Sequence, residues 1–167
     1  MLLFLSRYRS SLTVFMVFCT LGILARWAIG RVYYSGEALQ LMDSLTDSGL
    51  YLGSASATAS ATVIALMLTL TGMIRRVDAD FDIDVWSSVD HVSGLAITSL
   101  LASLTLLLAL VFPIGEFEKI PAEWFMRLYD VLFALTVLVI ALLSATSVML
   151  YSTLRCVIRA ITPTDDL

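Results

Sequence analysis

The chain has 167 residues, of which 59% are hydrophobic and 14% are charged, with a net charge of −4 and a mean hydropathy of +0.93. Soluble domains carry about 25% charged and about 45–50% apolar residues, so the composition argues against a soluble enzyme and excludes a disordered chain. No basic patch is present that could bind nucleic acid. We therefore expect membrane lipid, and not nucleic acid, among the partners of the chain.

The first apolar run covers about residues 11–29 and follows Arg7 and Arg9. A positive segment before an apolar run also occurs in secretory signal peptides, but no small-residue cleavage site follows here. The run is as long as a membrane span, which needs about 20 residues. The sequence therefore predicts an uncleaved first transmembrane helix.

A short segment of about residues 35–48 precedes the second apolar run. Its apolar residues Ala38, Leu41 and Leu45 recur at helical spacing. Ser35 suits the start of a helix and Gly49 suits its end. The segment predicts a short amphipathic helix at the membrane interface, with direct continuation into the next span as the alternative.

The second span, about residues 50–74, contains a run in which Ser or Thr alternates with Ala. Alternation at period two spreads small residues around every side of a helix, so we expect this part to be surrounded by other helices. The alternative is a water-filled path in which the hydroxyls replace the hydration of a solute. The helix-packing or pore-lining candidates are Gly53, Ser54, Ser56, Ala57, Thr58, Ser60, Ala61 and Thr62.

An acidic loop of about residues 75–90 connects the second and third spans. Its four alternating carboxylates, the weak metal-ligand candidates, are Asp78, Asp80, Asp82 and Asp84. A calcium loop of the EF-hand type that starts at Asp78 needs Gly at its sixth position and Glu at its twelfth, where this chain has Ile83 and Val89. We expect an extended segment with an acidic face toward water.

The third span, about residues 91–112, ends at Pro113, and the fourth, about residues 125–150, lies in a helix that could run from Pro121 to Ile161. Such a helix is about 60 Å long, against about 30 Å of hydrocarbon. It should therefore project from the membrane into the cytoplasm, with a tilted or a broken helix as the alternatives. Two interfacial ion pairs are candidates, Arg26 with Asp130 and Glu123 with Arg127.

The basic residues set the expected orientation. With four spans, six of them lie on the side of the termini: Arg7, Arg9, Arg75, Arg76, Arg155 and Arg159. Four lie on the other side: Arg26, Arg31, Lys119 and Arg127. The positive-inside rule then predicts that both termini are cytoplasmic.

Several chemistries lack the residues that they need. The chain has one histidine, His91, and two cysteines, Cys19 and Cys156, which excludes a bis-histidine haem, a histidine-rich zinc site and a Cys-x-x-Cys thiol centre. Proton-coupled transport usually requires an ionisable residue inside the membrane, and no such residue lies at the centre of a predicted span. We expect no enzymatic activity and no cofactor.

The sequence thus predicts one all-α integral membrane domain, a bundle of four transmembrane helices. Its general pattern resembles that of small four-span proteins of the bacterial inner membrane, so we expect it in the cell membrane. The predicted function is non-catalytic helix–helix association, as a homo-oligomer or as an accessory subunit of a membrane complex. The alternative is an oligomeric channel or permease for a small cation or neutral solute, lined by the second span.

Overall fold

The computed structural model describes the backbone of residues 2–32, 38–74, 83–111 and 122–161. Side chains are described for residues 9–28, 45–73, 87–111 and 127–158, with the exception of position 156. The described backbone forms four α-helices: α1 (Leu2–Val32), α2 (Ala38–Ile74), α3 (Ile83–Val111) and α4 (Ala122–Ile161). The all-helical architecture agrees with the sequence prediction.

Each helix is long and apolar enough to cross a membrane. The apolar segments are Arg9–Ala28, Leu45–Met73, Ser87–Val111 and Arg127–Arg155, with mean hydropathies of 1.7, 1.5, 2.3 and 2.5. The predicted number of spans is therefore confirmed at the level of length and composition. With 40 residues, α4 is about 60 Å long at 1.5 Å per residue.

The helices are not packed equally. α4 contacts α1, α2 and α3, and α2 and α3 form the largest contact. Among the described residues α1 packs extensively against α4 only. The fold is therefore a core of three helices, α2, α3 and α4, with α1 attached to the outside of α4.

Contacts between α2 and α3 follow one continuous seam. The buried residues of α2 alternate at steps of four and three along the chain: Gly49, Gly53, Ser56, Ser60, Val63 and Met67. Those of α3 show the same alternation: Val92, Ala96, Ser99, Ser103, Leu106 and Leu110. This spacing is the heptad repeat of paired helices, in which side chains of one helix pack into holes between side chains of the other.

The predicted short amphipathic helix before the second span does not exist as a separate element. α2 is one helix from Ala38 to Ile74, so it continues through Gly49, which was expected to end it. Gly49 is buried against α3, and a Cβ atom there would lie 2.8 Å from Cδ1 of Leu110. The glycine therefore allows the two helices to approach closely, and the alternative of direct continuation is the correct one.

The acidic loop is shorter than predicted. α3 begins at Ile83, so residues 83–90 are helical rather than extended, and Asp84 lies in the first turn of α3. Asp78, Asp80 and Asp82 lie outside the described residues, as do the side chains of Asp84 and Glu123. Residues 83–90 add about two turns to the start of α3, and the third apolar segment starts at Ser87, four residues before the predicted start of the span.

Candidate functional site

The small residues predicted in the second span separate into two sets. Gly53, Ser56 and Ser60 are buried in the seam with α3. Ser54, Thr58, Ala61 and Thr62 are exposed, and Ala57 is half-buried. Within a single chain this part of α2 is therefore enclosed on one side only, although its composition predicts neighbouring helices on all sides.

Four serines join α2 to α3 at the middle of the seam. Ser60 Oγ donates to Ser99 Oγ over 3.1 Å. The single hydroxyl hydrogen of Ser103 is shared between Ser56 Oγ at 2.9 Å and the carbonyl oxygen of Ser99 at 2.8 Å. All four side chains are almost completely buried, with at most 1% exposed. Such hydrogen bonds between transmembrane helices have a known modest strength, on average about 0.6 kcal/mol each. In the protomer, Ser56 and Ser60 are thus packing residues.

The exposed side of α2 carries a second row of small residues, which we call the outward face. It consists of Ser54, Thr58, Ala61, Thr62, Ala65, Thr69 and Gly72. Thr58, Thr62, Ala65, Thr69 and Gly72 again alternate at steps of four and three. A Cβ atom at Gly72 would have nothing within 4 Å. α2 therefore has two rows with the spacing of a helix–helix contact, and the protomer covers one of them.

Hydroxyl groups on the outward face donate to their own helix. Thr58 Oγ1 donates to the carbonyl oxygen of Ser54 over 2.9 Å, and Thr62 Oγ1 donates to that of Thr58 over 2.8 Å. Thr69 Oγ1 likewise donates to Ala65 over 2.9 Å. Their donors are thus satisfied without water.

Other helices present large apolar side chains outward. Those of α1 include Leu12, Met16, Leu21 and Leu24, and those of α3 include Ile97, Leu101, Leu104 and Leu108. On α2 the exposed large residues are Leu66, Leu68 and Met73 beside the outward face and Tyr51 at its beginning, three positions before Ser54. The outward face is therefore a strip of low relief between larger side chains.

The predicted pair of Arg26 and Asp130 is formed between α1 and α4. Arg26 Nε donates to Asp130 Oδ1 over 2.6 Å, and the Nη2 group also contacts this oxygen. The guanidinium carbon lies 5.6 Å from the ring centre of Tyr129, a cation–π distance. The pair fixes one end of α1 on α4, while the side chain of Ser11, at the other end, donates to the carbonyl oxygen of Ala145 over 3.1 Å.

For the predicted Glu123–Arg127 pair and the predicted metal ligands, the structure describes few of the side chains involved. Arg127 is exposed, and its predicted partner Glu123 has no described side chain. Among the described side chains, no three of His, Cys, Asp or Glu come together as metal ligands would. The aspartates of the acidic loop lie outside this part of the chain.

Several contact residues were not singled out from the sequence. Ser99 and Ser103 are spaced four apart in an apolar span, which was the available signal for the serine contacts. A second row with four-and-three spacing runs from Thr58 to Gly72. It extends beyond residues 53–62, the small-residue run of the second span. Gly22 shows no local signal, since only the position of Val137 on α4 explains it.

The described part of the molecule therefore offers a hydrogen-bonded helix pair, an outward face of small residues and an ion pair that joins α1 to α4. None of these features is a recognisable catalytic centre. Comparison of the chain with protein-family models, with curated proteins and with solved structures finds no match.

Proposed function

We propose that this chain is a multi-pass protein of the cell membrane that acts without catalysis, through association of its α2 outward face with another transmembrane helix. The observation that carries this proposal is the exposed row of small residues from Ser54 to Gly72. The partner is a second copy of the chain or, as an accessory subunit, a helix of a larger membrane complex.

The physical reason is the absence of a hydrophobic driving force between helices inside a bilayer. Lipid tails are as apolar as leucine, so helices associate through close packing and hydrogen bonds, and their contact surfaces are rich in Gly, Ala, Ser and Thr. The outward face has this composition over 19 residues, from position 54 to position 72, or about 27 Å of helix. That length nearly matches the hydrocarbon thickness of about 30 Å.

The outward face suits a second copy better than an unrelated partner. Two copies in the same membrane orientation are related by a two-fold axis along the bilayer normal, so their α2 helices run parallel and each residue meets its own copy. A row of small residues along the whole face is complementary to itself in this arrangement. The seam with α3 is different, because there Gly49 and Gly53 meet Leu110 and Leu107.

Oxidative cross-linking in native membranes tests this proposal. In a background with Cys19→Ala and Cys156→Ser, we expect Ala61→Cys to give a covalent dimer. Leu104→Cys, at an exposed position of α3, is the matched control and should remain monomeric. A cross-linked product of another mass identifies an accessory subunit instead, and equal cross-linking at both positions contradicts the proposal.

The proposed orientation places both termini in the cytoplasm, with the last turns of α4 projecting there. Six of the ten basic residues support this side, and the length of α4 supports the projection. Reporter fusions at Leu167 and in the loop of residues 113–120 test the orientation. Activity of a periplasm-specific reporter at Leu167 would contradict it.

A second candidate function is an oligomeric channel or permease for a small cation or neutral solute. The favouring observation is that the exposed threonine hydroxyls of the outward face use their hydrogens on the backbone of α2, so that their oxygens can still accept or coordinate. In a ring of several copies around α2 these oxygens would line the axis and attract cations rather than anions. Ser56 and Ser60, also considered for a pore, bond to α3 and would not line it.

Conductance of the purified protein in planar bilayers under a salt gradient separates the two functions. If a channel forms, the reversal potential shows cation preference, and Thr58→Val with Thr62→Val lowers the conductance while preserving shape. Absence of current from folded, oligomeric protein rejects the channel and leaves the association function.

A further inference from the structure

A groove lies between α1 and α4. Its volume is about 770 Å³. One helical face on each side lines it: Cys19, Gly22, Ile23, Arg26 and Trp27 from α1, and Asp130, Phe133, Ala134, Val137 and Leu138 from α4. At Gly22 the two helices approach closely, because a Cβ atom there would lie 2.4 Å from Val137 Cγ1, and the groove opens beside this contact, where Ala134 adds only a methyl group to its lining.

Two charges of opposite sign stand at one end of this groove, and apolar side chains form the rest. Arg26 and Asp130 are paired with each other, yet their side chains are 32% and 47% exposed. Both polar contacts between the guanidinium and the carboxylate end on Oδ1, and one face of the guanidinium lies over the ring of Tyr129. The mouth of the groove therefore offers positive and negative charge side by side, with no net charge.

We propose that this groove binds one phospholipid with a phosphoethanolamine headgroup. The phosphate lies on the guanidinium of Arg26, which matches phosphate geometry with paired N–H donors. The primary ammonium lies on the carboxylate of Asp130, and one acyl chain fills the apolar groove. This inference rests on the proposed membrane location of the chain, and it is independent of the association through α2.

The dimensions fit an acyl chain in one leaflet. Cys19 and Trp27 are eight positions apart on α1, which corresponds to about 12 Å along the helix. One leaflet is half of the hydrocarbon thickness of about 30 Å, or about 15 Å. Arg26 lies near the end of the first apolar segment, Arg9–Ala28, and Asp130 near the start of the fourth, Arg127–Arg155. The charged end therefore reaches the headgroup level while the groove extends toward the membrane centre.

Headgroup chemistry distinguishes this lipid from the alternatives. A phosphocholine headgroup carries a positive charge but has no N–H group to donate to Asp130. A phosphoglycerol headgroup carries no cation and places its negative charge beside the same carboxylate. Loss of one exposed ion pair corresponds to up to roughly fivefold in affinity. We therefore expect phosphoethanolamine lipid to bind roughly fivefold more tightly than either alternative.

Native mass spectrometry of the full chain, extracted from nanodiscs made of equal parts of the three lipids, tests the proposal. We expect one retained phosphoethanolamine lipid per protomer. Fluorescence of Trp27, in a background with Trp86→Phe and Trp124→Phe, gives a second measurement in vesicles. Lipids with brominated acyl chains should quench the Trp27 fluorescence. With a phosphoethanolamine headgroup, we expect quenching at a roughly fivefold lower fraction of brominated lipid than with a phosphocholine or phosphoglycerol headgroup.

Two variants separate the headgroup from the chain. Arg26→Gln combined with Asp130→Asn removes both charges at similar shape, so the headgroup preference disappears while chain binding remains. Ala134→Leu fills the groove and should abolish retention of any lipid. Ala28→Leu is the matched control on an exposed position of α1 that does not line the groove, and it should bind like the parent.

Equal retention of the three lipids by the parent chain would overturn the proposal, and so would a retained lipid in folded Ala134→Leu protein. Folding of each variant is checked by its thermal transition and its elution volume. A chain found in the soluble fraction would instead reject the membrane location. A monomer that retains one phosphoethanolamine lipid would reject self-association through α2 but support this site.

Discussion

The α2–α3 seam and the α1–α4 contact join their helices in different ways. The seam runs from Gly49 to Met67 without interruption and contains two serine–serine hydrogen bonds. Between α1 and α4 the specific contacts are separate: a hydrogen bond from Ser11, the close approach at Gly22, and the pair of Arg26 with Asp130. Only 6% of the apolar segment of α1 is buried, against 28% for α3.

This difference shows how a membrane helix can belong to a fold with little burial. α2 and α3 gain from a periodic surface that repeats over many turns. α1 depends on a few local contacts, and between them it leaves the groove that we assign to a lipid. Changes at single positions should therefore affect α1 more strongly than they affect the seam.

The largest effect is expected at Gly22. A Cβ atom there would lie 2.4 Å from Cγ1 and 2.7 Å from Cγ2 of Val137. Because both methyl groups of a β-branched residue obstruct it, α1 must move, and overpacking costs about 1–3 kcal/mol. We expect Gly22→Ala to lower the thermal transition of the purified protein.

Gly94→Ala is the control for this prediction, since a Cβ atom at Gly94 meets nothing within 4 Å. Alanine is a better helix former than glycine by about 0.5–1 kcal/mol, so this variant should raise the transition. We thus predict shifts of opposite sign in the thermal transition for the two substitutions. Stabilisation by both substitutions would show that α1 and α4 do not approach closely at Gly22.

The serine contacts should give a smaller effect. A double-mutant cycle with Ser60→Ala and Ser99→Ala isolates their hydrogen bond, for which we expect a coupling energy of about 0.6 kcal/mol. Reversible unfolding in mixed detergent measures it. Ser60→Ala combined with Ser103→Ala supplies the comparison, because Ser103 donates to Ser56 and not to Ser60. Equal coupling in both cycles would contradict the pairing.

The smallest effect on stability is expected for the ion pair. Exposed pairs contribute about 0.2–1 kcal/mol, and salt screens them. A cycle with Arg26→Gln and Asp130→Asn should give a coupling energy at the lower end of this range, which falls further in 1 M salt. A large coupling that does not depend on salt would mean that the pair is shielded from water and would exclude the open groove mouth.

Sequence predicted the helical class, the number of long apolar helices and the pairing of Arg26 with Asp130, because composition and charge position determine them. It did not predict which side of each helix is buried. In α3 apolar and hydroxyl-bearing residues occur on the buried and on the exposed side alike, so the four-and-three row from Val92 to Leu110 does not stand out from its background. In soluble helices a polar face reveals this row.

The roles of the glycines were also not predictable from the sequence, because they depend on which residues of other helices lie opposite them. Gly49 was expected to end a helix, because glycine commonly does so. Its actual role depends on Leu110, which is 61 positions away in the chain. The small-residue run was correctly noted as unusual, but local alternation concealed that its residues belong to two opposite rows. Only the packed position of α3 separates them.

The central claim is that the outward face of α2 is a helix–helix contact surface, and the number of copies per particle tests it most directly. Single-molecule photobleaching of the labelled chain, reconstituted in vesicles at low density, counts these copies. We expect more than one copy for the parent and one copy for Ala65→Leu, with Leu104→Phe on α3 behaving as the parent. A parent chain that remains a single copy, with no second protein bound in its native membrane, would contradict the claim.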